Sequence, residues 1–125
     1  MLDAYSNNIA VNTDAVIPFN NVTIEKGRSA VMTAPGTIQL NQKGVYMVSC
    51  NSSGDDTAEI QLYKDGTAQA QAQAVGPNAS FTTLVQVPQN NTNCCCTSPT
   101  TIQVMNISSA TTTYDNVHLC VTKLC

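Results

Sequence analysis

The segment at residues 38–66 constrains the fold more than any other part of the chain, because strand patterns and turn signals alternate along it. It reads IQLNQKGVYMVSCNSSGDDTAEIQLYKDG. Lys43-Gly44 separates two runs of alternating apolar residues. Asp65-Gly66 ends a third run with a dipeptide suited to a hairpin turn, since glycine tolerates positive φ. The segment therefore predicts three strands joined by tight turns, which is the beginning of a packed β module.

The same kinds of pattern recur along the rest of the chain. Period-2 alternation or β-branched runs return about every eight to twelve residues, and helical spacing is hard to find. The predicted strands are 15–19, 30–33, 36–40, 45–51, 58–64, 67–75, 81–87, 100–107 and 116–123. We therefore predict an all-β sandwich of two antiparallel sheets with about eight to ten strands.

One predicted strand has an unusual composition. Residues 67–75 read TAQAQAQAV, which places Ala68, Ala70, Ala72 and Ala74 on one face and glutamines on the other. Alanine and glutamine favour helices, but a helix would mix the two residue types on every face. The strict alternation therefore predicts a strand with one face of small residues.

Length and composition limit the organisation and the partners. A chain of 125 residues fits one domain, which we place at residues 14–125 after an N-terminal arm at 1–13. The net charge is −3 and there are five Lys and Arg in all, so nucleic acid is not a predicted partner. No apolar run approaches the roughly 18 residues of a membrane span, so no membrane insertion is predicted. The first residues lack the basic head and hydrophobic stretch of a secretory signal.

The order of these features resembles a known superfamily. The chain carries AVIPF, then TIQLNQKGVYMVSC, then AEIQLYKDGTAQAQAQ, then FTTLVQV and finally NVHLCVTKL. This order is similar to the jelly-roll globular heads of the tumour necrosis factor and complement-type superfamily, including bacterial and phage versions. Gly44-Val45-Tyr46 is the most specific match, because the family has Gly-x-Tyr or Gly-x-Phe at the start of a central strand. The chain departs from the family before its penultimate strand, where residues 97–100 replace a Gly-Asp turn.

The resemblance implies a homotrimer in which three jelly rolls pack around a three-fold axis. The low charge of the chain, 10% against about 25% in globular domains, is compatible with burial between subunits. Candidate axis residues are those in the middle of predicted strands. They are Tyr46, Val48, Tyr63, Val104 and His118. Each of them is also a candidate for the core of a single chain.

The cysteines allow several interpretations. There are six of them, Cys50, Cys94, Cys95, Cys96, Cys120 and Cys125. Disulfides, buried free thiols and a metal site all remain open, although paired C-x-x-C ligands for zinc are absent from the sequence. Cys125 lies at the end of the sequence, where a bond to another chain is geometrically simple.

Catalytic and ligand chemistry is sparse. His118 is the single histidine, so a dyad with Cys50, Cys94 or Cys96 is the one nucleophile arrangement available, and no spacing supports it. Asp55-Asp56 with Glu59 forms an acidic cluster that lacks the spacing of a calcium loop, so a solvated turn is favoured. A metal is the least favoured of the alternatives for the cysteines, so we predict no metal, and we also predict no enzyme activity and no cofactor.

Two functions remain as hypotheses. The first is a non-enzymatic structural or adhesive homotrimer on a phage virion or on a bacterial or spore surface, reached without a signal peptide. Its further partners would be a capsid, tail or filament protein. The second is a module that binds a ligand, most plausibly a surface glycan, through loops at one end of the sandwich. The candidate ligand-loop residues are Asp55, Asp56 and Tyr114.

Overall fold

The fold is a sandwich of two antiparallel β-sheets. The computed structural model describes residues 1–88 and 99–125, and within those residues there is no helix. The strands are β1 (Leu2–Val11), β2 (Ala15–Val16), β3 (Asn21–Glu25), β4 (Ala30–Ala34), β5 (Thr37–Leu40), β6 (Gly44–Gly54), β7 (Glu59–Lys64), β8 (Thr67–Val75), β9 (Ser80–Val87), β10 (Thr100–Asn106) and β11 (Thr112–Lys123). The predicted all-β sandwich is confirmed, with 11 strands in the described residues.

Each sheet combines strands that are distant in sequence. Sheet A has the order β3-β1-β11-β6-β9, and sheet B has the order β4-β5-β10-β7-β8, with β2 paired to one end of β10. The long central pair of sheet A is β6 with β11, which runs from Gly54 opposite Tyr114 to Tyr46 opposite Lys123. Consecutive strands often lie in different sheets, so few of the pairings are simple hairpins.

The core lies between the two sheets and follows from the period of the strands. In β6, Tyr46, Val48 and Cys50 are fully buried, whereas the residues between them are partly exposed. Strand β10 of the opposite sheet alternates in the same way, with Ile102 and Val104 fully buried and the residues between them partly exposed. Alternate side chains of both sheets therefore interdigitate in one layer, as expected for sheets packed face to face.

The hairpin predicted at Asp65-Gly66 is confirmed. Asp65 has φ of 50° and Gly66 has φ of 80°, and the two residues join β7 to β8. Positive φ at both central positions is the turn that matches the twist of the flanking strands. The Asp65 carboxylate also accepts a hydrogen bond from the Thr101 amide at 2.8 Å.

The N-terminal residues correct the predicted domain boundary. Residues 2–11 form β1, which lies between β3 and β11 inside sheet A and does not form a separate arm. Leu2 and Ala4 are fully buried. The strand was missed because its inward positions include the small polar Ser6, whose hydroxyl donates to the Pro18 carbonyl at 2.7 Å.

A buried polar cluster holds the end of β1 against the last two strands. The Asn106 side-chain amide donates to the Val11 carbonyl at 2.9 Å, and its oxygen accepts from the Tyr114 hydroxyl at 2.8 Å and the Ser108 hydroxyl at 2.6 Å. All of the buried polar side-chain atoms in the described residues have partners. Such a fully satisfied network stabilises one arrangement of the strands.

Strand β8 has the predicted residues but not the predicted faces. Its pairing with β7 shifts between Gln61 and Tyr63, where β8 carries extra residues. Ala72 is fully buried, whereas Ala68 lies opposite Tyr63 on the other side of the shift. The bulge therefore breaks the single alanine face that strict alternation predicted.

Candidate self-association face

The outward face of sheet A differs from an ordinary solvated sheet surface. Four of the six large hydrophobic residues that are exposed in the described chain belong to it by strand alternation, namely Met1, Ile24, Leu84 and Leu124. Leu84 is 58% exposed and Leu124 is 53% exposed. Exposed apolar side chains that cluster on one face mark interaction surfaces more often than scattered ones do.

Three of these four, Met1, Leu84 and Leu124, lie at one end of the face together with the partly exposed Val45 and Met47. We call these five residues the apolar end. Met47 lies directly opposite Leu84 on β9. The Leu124 amide donates to the Val45 carbonyl at 2.7 Å, which places these two residues side by side. The apolar end therefore extends from Leu124, just after β11, across β6 to β9, and Met1 lies just before β1.

The opposite end of the face is polar and uncharged over most of its area. Asn7 lies opposite Asn116, and Asn51 lies opposite both His118 and Ser80. The Asn116 side chain donates to the Asn7 side-chain oxygen at 2.8 Å. The face thus grades from an apolar end to a polar end along the strand direction.

A histidine and a carboxylate meet between these two ends. The distance from His118 Nε2 to Asp3 Oδ1 is 2.5 Å, and the Thr23 hydroxyl donates to the other Asp3 oxygen. Burial by itself would raise the pKa of the Asp3 carboxyl. The hydrogen bonds from Thr23 and His118 and the charge of His118 oppose that effect, so the pKa lies below its ordinary value of 3.8.

The predicted axis residues separate into two groups. Tyr46, Val48 and Val104 are fully buried inside a single chain, so their side chains belong to its core and have no surface for another subunit. The Tyr46 hydroxyl donates to the Gln42 carbonyl at 2.8 Å, and burial raises its pKa despite that bond. His118 lies on the outward face of sheet A, and the partly exposed Tyr63 lies on the outward face of sheet B.

The structure tests the cysteine predictions at the three cysteines that it describes. Cys50, Cys120 and Cys125 are free thiols. Cys50 is fully buried, and this burial raises its pKa to about 12. Cys120 faces outward from sheet A opposite Asp3. The predictions for Cys94, Cys95 and Cys96 fall outside the described residues.

The predicted nucleophile and ligand residues do not assemble into a site. Cys50 points into the core and His118 points out of the same sheet, so the structure does not bring this pair together. In residues 1–88 and 99–125, no three His, Cys, Asp or Glu side chains are grouped as metal ligands. None of the described residues lies in a helix that could cross a membrane.

The ligand-loop residues are also placed differently from the prediction. Tyr114 is fully buried, and burial raises its pKa to about 12. Asp55 is exposed, but its carboxylate accepts a hydrogen bond from the Thr113 amide at 2.8 Å. Asp56 is exposed beside it. Of the three candidate ligand-loop residues, Asp55 and Asp56 are exposed and Tyr114 is not.

An open cleft of about 250 Å³ lies between β3 and the β4–β5 turn. Its lining residues are Phe19, Asn20, Val22, Glu25, Met32, Thr33, Ala34 and Pro35. None of the residues singled out from the sequence belongs to it.

Sequence reasoning missed most of the residues on the sheet A face. Leu84 carries a recognisable signal, because it is out of phase with Phe81 and Val85, which are both buried. Asp3 carries no signal in the sequence, since its position beside His118 depends on β1, a strand that was not predicted. Strand β3 is exposed along its length, and the alternation of Val22 and Ile24 is its weak signal.

Comparison with known proteins gives the fold and no closer relationship. No protein-family profile and no curated sequence matches the chain. The globular domain of the zebrafish complement 1qA protein is similar, with a TM-score of 0.69 and 7% identity over 99% of this chain and 96% of that one. Rabbit GITRL has a TM-score of 0.63 and 12% identity over 100% and 95%. Murine APRIL at pH 8.5 has a TM-score of 0.62 and 10% identity over 98% of each chain. The predicted resemblance to the tumour necrosis factor and complement-type jelly roll is thereby confirmed as a fold.

Proposed function

We propose that this chain, which shares its fold with those globular heads, is a non-enzymatic structural or adhesive subunit that forms a homotrimer. The outward face of sheet A is the surface that would be buried between copies. A virion, or a bacterial or spore surface, is the proposed location, and a capsid, tail or filament protein is the proposed further partner.

The apolar end is the observation that carries this proposal. Leu84, Leu124 and Met1 are 58%, 53% and 44% exposed. Fully burying an exposed side chain of this kind is worth roughly 1.5–3 kcal/mol, and covering the exposed half of each of these is worth about half of that. Several such side chains from each copy therefore stabilise an assembly. In a single chain the same side chains remain in contact with water, because they point away from the core between the sheets.

The charge distribution supports contact between identical copies. The outward side chains of β6 and β9 include no charged residue. Like charges brought together by symmetry are therefore few, and the Asp3 carboxylate already has a histidine partner. A face of this composition resembles the core of a protein interface, which is depleted in charge.

The family resemblance supports three copies in particular. It implies that jelly-roll heads pack around a three-fold axis, and the position of β1 and β11 in the middle of sheet A fits a central role for this sheet. The number of copies is thus proposed from the resemblance, and the surface is proposed from the side chains.

Sedimentation velocity with light scattering over a range of protein concentrations tests the proposal. We expect the mass of three chains at high concentration and dissociation on dilution. A chain that keeps the mass of one copy at high micromolar concentration would contradict it. Cross-linking followed by mass spectrometry would then be expected to join residues of the sheet A face in the assembled form.

A further inference from the structure

The Asp3–His118 pair lies where self-association would cover it. The two side chains are 23% and 36% exposed, so each retains surface that another copy can bury. Cys120, the cross-strand neighbour of Asp3, lies two residues from His118 on the same face, and Thr122 follows toward the apolar end. The pair is therefore inside the face and not at a distant edge.

Few other ionisable groups share this surface. Strands β6 and β9 direct no charged or titratable side chain outward. β3 contributes the Thr23 hydroxyl beside Asp3. The remaining titratable groups on or beside the face are Tyr5 opposite His118, Cys120 opposite Asp3, and the exposed Asp115 at the polar end. At the apolar end they are the Met1 ammonium, which donates to the Lys26 carbonyl, together with Lys26, Glu25, Lys123 and the Cys125 thiol.

We propose that self-association through the sheet A face is pH-dependent, with the Asp3–His118 pair as the group that sets the dependence. Association is strongest in the mildly acidic range, where both members are charged and the pair is neutral overall. This inference rests on the proposed function, because it concerns the same face.

The direction follows from the charge that would be buried. When His118 is protonated, the pair carries no net charge, and each member has an oppositely charged partner. When His118 loses its proton, every copy brings an uncompensated Asp3 carboxylate to the face. Removing such a carboxylate from water is costly, and the symmetry of an assembly brings several copies together. Histidine is the side chain that ordinarily changes charge between about pH 5 and 8, so the effect falls in that range.

The test compares the concentration at which half of the wild-type chain is associated at about pH 5.5 and at about pH 8. We expect this concentration to be at least about tenfold higher at the higher pH, which corresponds to a one-unit shift of one ionisable group. His118 is the single histidine, so NMR resolves its imidazole without ambiguity. At about pH 5.5 its ring resonances should change with protein concentration, because association covers the face on which His118 lies.

Two variants separate this pair from the general effect of net charge. Asp3→Asn leaves a face that is neutral when His118 is neutral, so its association should be stronger at about pH 8 than at about pH 5.5. His118→Gln leaves the carboxylate unpaired at both pH values, so its association should be weak and nearly independent of pH. Glu59→Gln is the matched control, because the Glu59 carboxylate lies on sheet B, where it accepts a hydrogen bond from the Gln73 amide at 3.0 Å. This variant should keep the pH dependence of the wild type.

The outcomes distinguish this inference from the function on which it rests. Chains that remain single at both pH values would contradict the proposed self-association and this inference with it. Chains that associate equally at both pH values, or more strongly at about pH 8, would leave the self-association standing and overturn its dependence on the pair. An unchanged pH response in Asp3→Asn would overturn it as well.

Discussion

The two sheets present outward faces of opposite character. Sheet A exposes an apolar end and one histidine–carboxylate pair. Sheet B exposes glutamine and threonine side chains that bond to each other or to the backbone. The Gln103 amide donates to the Thr37 hydroxyl at 3.0 Å, and the Gln61 amide donates to the Gln69 carbonyl at 3.3 Å. Sheet A exposes several large apolar side chains at one end, whereas among the described residues sheet B exposes one, Val75 at the end of β8. The side chains of sheet B largely satisfy their own hydrogen bonds.

This difference shows that a low overall charge does not make every surface of a chain equivalent. Both faces have few charges, but burying the sheet B face would desolvate amides that already have partners and also contact water. Burying the apolar end of sheet A removes hydrocarbon from water at little polar cost. The contrast therefore supports the proposal that copies would meet through sheet A, with sheet B facing solvent in the proposed assembly.

A charge placed in the apolar end should produce the largest effect. Leu84→Lys would bury an unpaired ammonium group, which costs about 3 kcal/mol or more and weakens association about a hundredfold. Leu84 is 58% exposed, so the fold of the single chain should be preserved. Gln103→Lys on sheet B is the matched control and should associate as the wild type does, as measured by sedimentation equilibrium. If both substitutions weakened association equally, the proposal that the chains associate through sheet A and not through sheet B would be contradicted.

The rates at which Cys120 and Cys50 react with an alkylating reagent provide a second comparison, which reports whether the sheet A face is covered. Cys120 lies on the sheet A face, so its reaction with an alkylating reagent should slow in proportion to the fraction of assembled chain. Cys50 is buried with a pKa raised to about 12 and should stay unmodified in the folded chain. Peptide mapping by mass spectrometry identifies each site. In Leu84→Lys the rate at Cys120 should no longer depend on protein concentration, and a persistent dependence would show that Cys120 is covered in another way.

On sheet B the expected effects concern stability and not assembly. Gln103→Ala removes the bond to the Thr37 hydroxyl and should lower the free energy of unfolding by about 0.5–1 kcal/mol. Urea denaturation measures this, and a double-mutant cycle with Thr37→Val isolates the pair. Association of Gln103→Ala should equal that of the wild type. A change in association without a change in stability would place sheet B at an interface.

The smallest effect should come from Asp3 in the dissociated chain. Its folded pKa is lowered, so the carboxylate stabilises the fold at pH values above its unfolded pKa, and this contribution disappears as the pH falls below 3.8 through the lowered value. The pair is partly exposed, so the contribution should be under about 1 kcal/mol. Urea denaturation of Leu84→Lys with and without Asp3→Asn measures it without interference from association. A difference that is constant from acid to neutral pH would contradict the assignment to this carboxyl.

Much of the fold was predictable because strands with one buried face carry their period in the sequence. The strand at 67–75 and the turn at Asp65-Gly66 were placed correctly from local pattern alone. β1 was not predicted, because its inward residues include Ala4 and Ser6, which are too small or too polar to give a hydrophobic alternation. Tyr114 shows the same limit for the site. It lies in a polar stretch and was a candidate ligand-loop residue, but it is buried and its hydroxyl donates a hydrogen bond to the Asn106 side-chain oxygen.

The sequence by itself determined the all-β class, the jelly-roll resemblance and the low charge that disfavours nucleic acid. These properties depend on local periodicity and on composition, which a single chain displays directly. Only the tertiary structure decided that Tyr46 and Val48 belong to the core, that Asp3 meets His118, and that Leu84 and Leu124 share one face. Those facts depend on which strands become neighbours. Here β1 and β11, from opposite ends of the chain, pair through contacts that neither segment reveals alone.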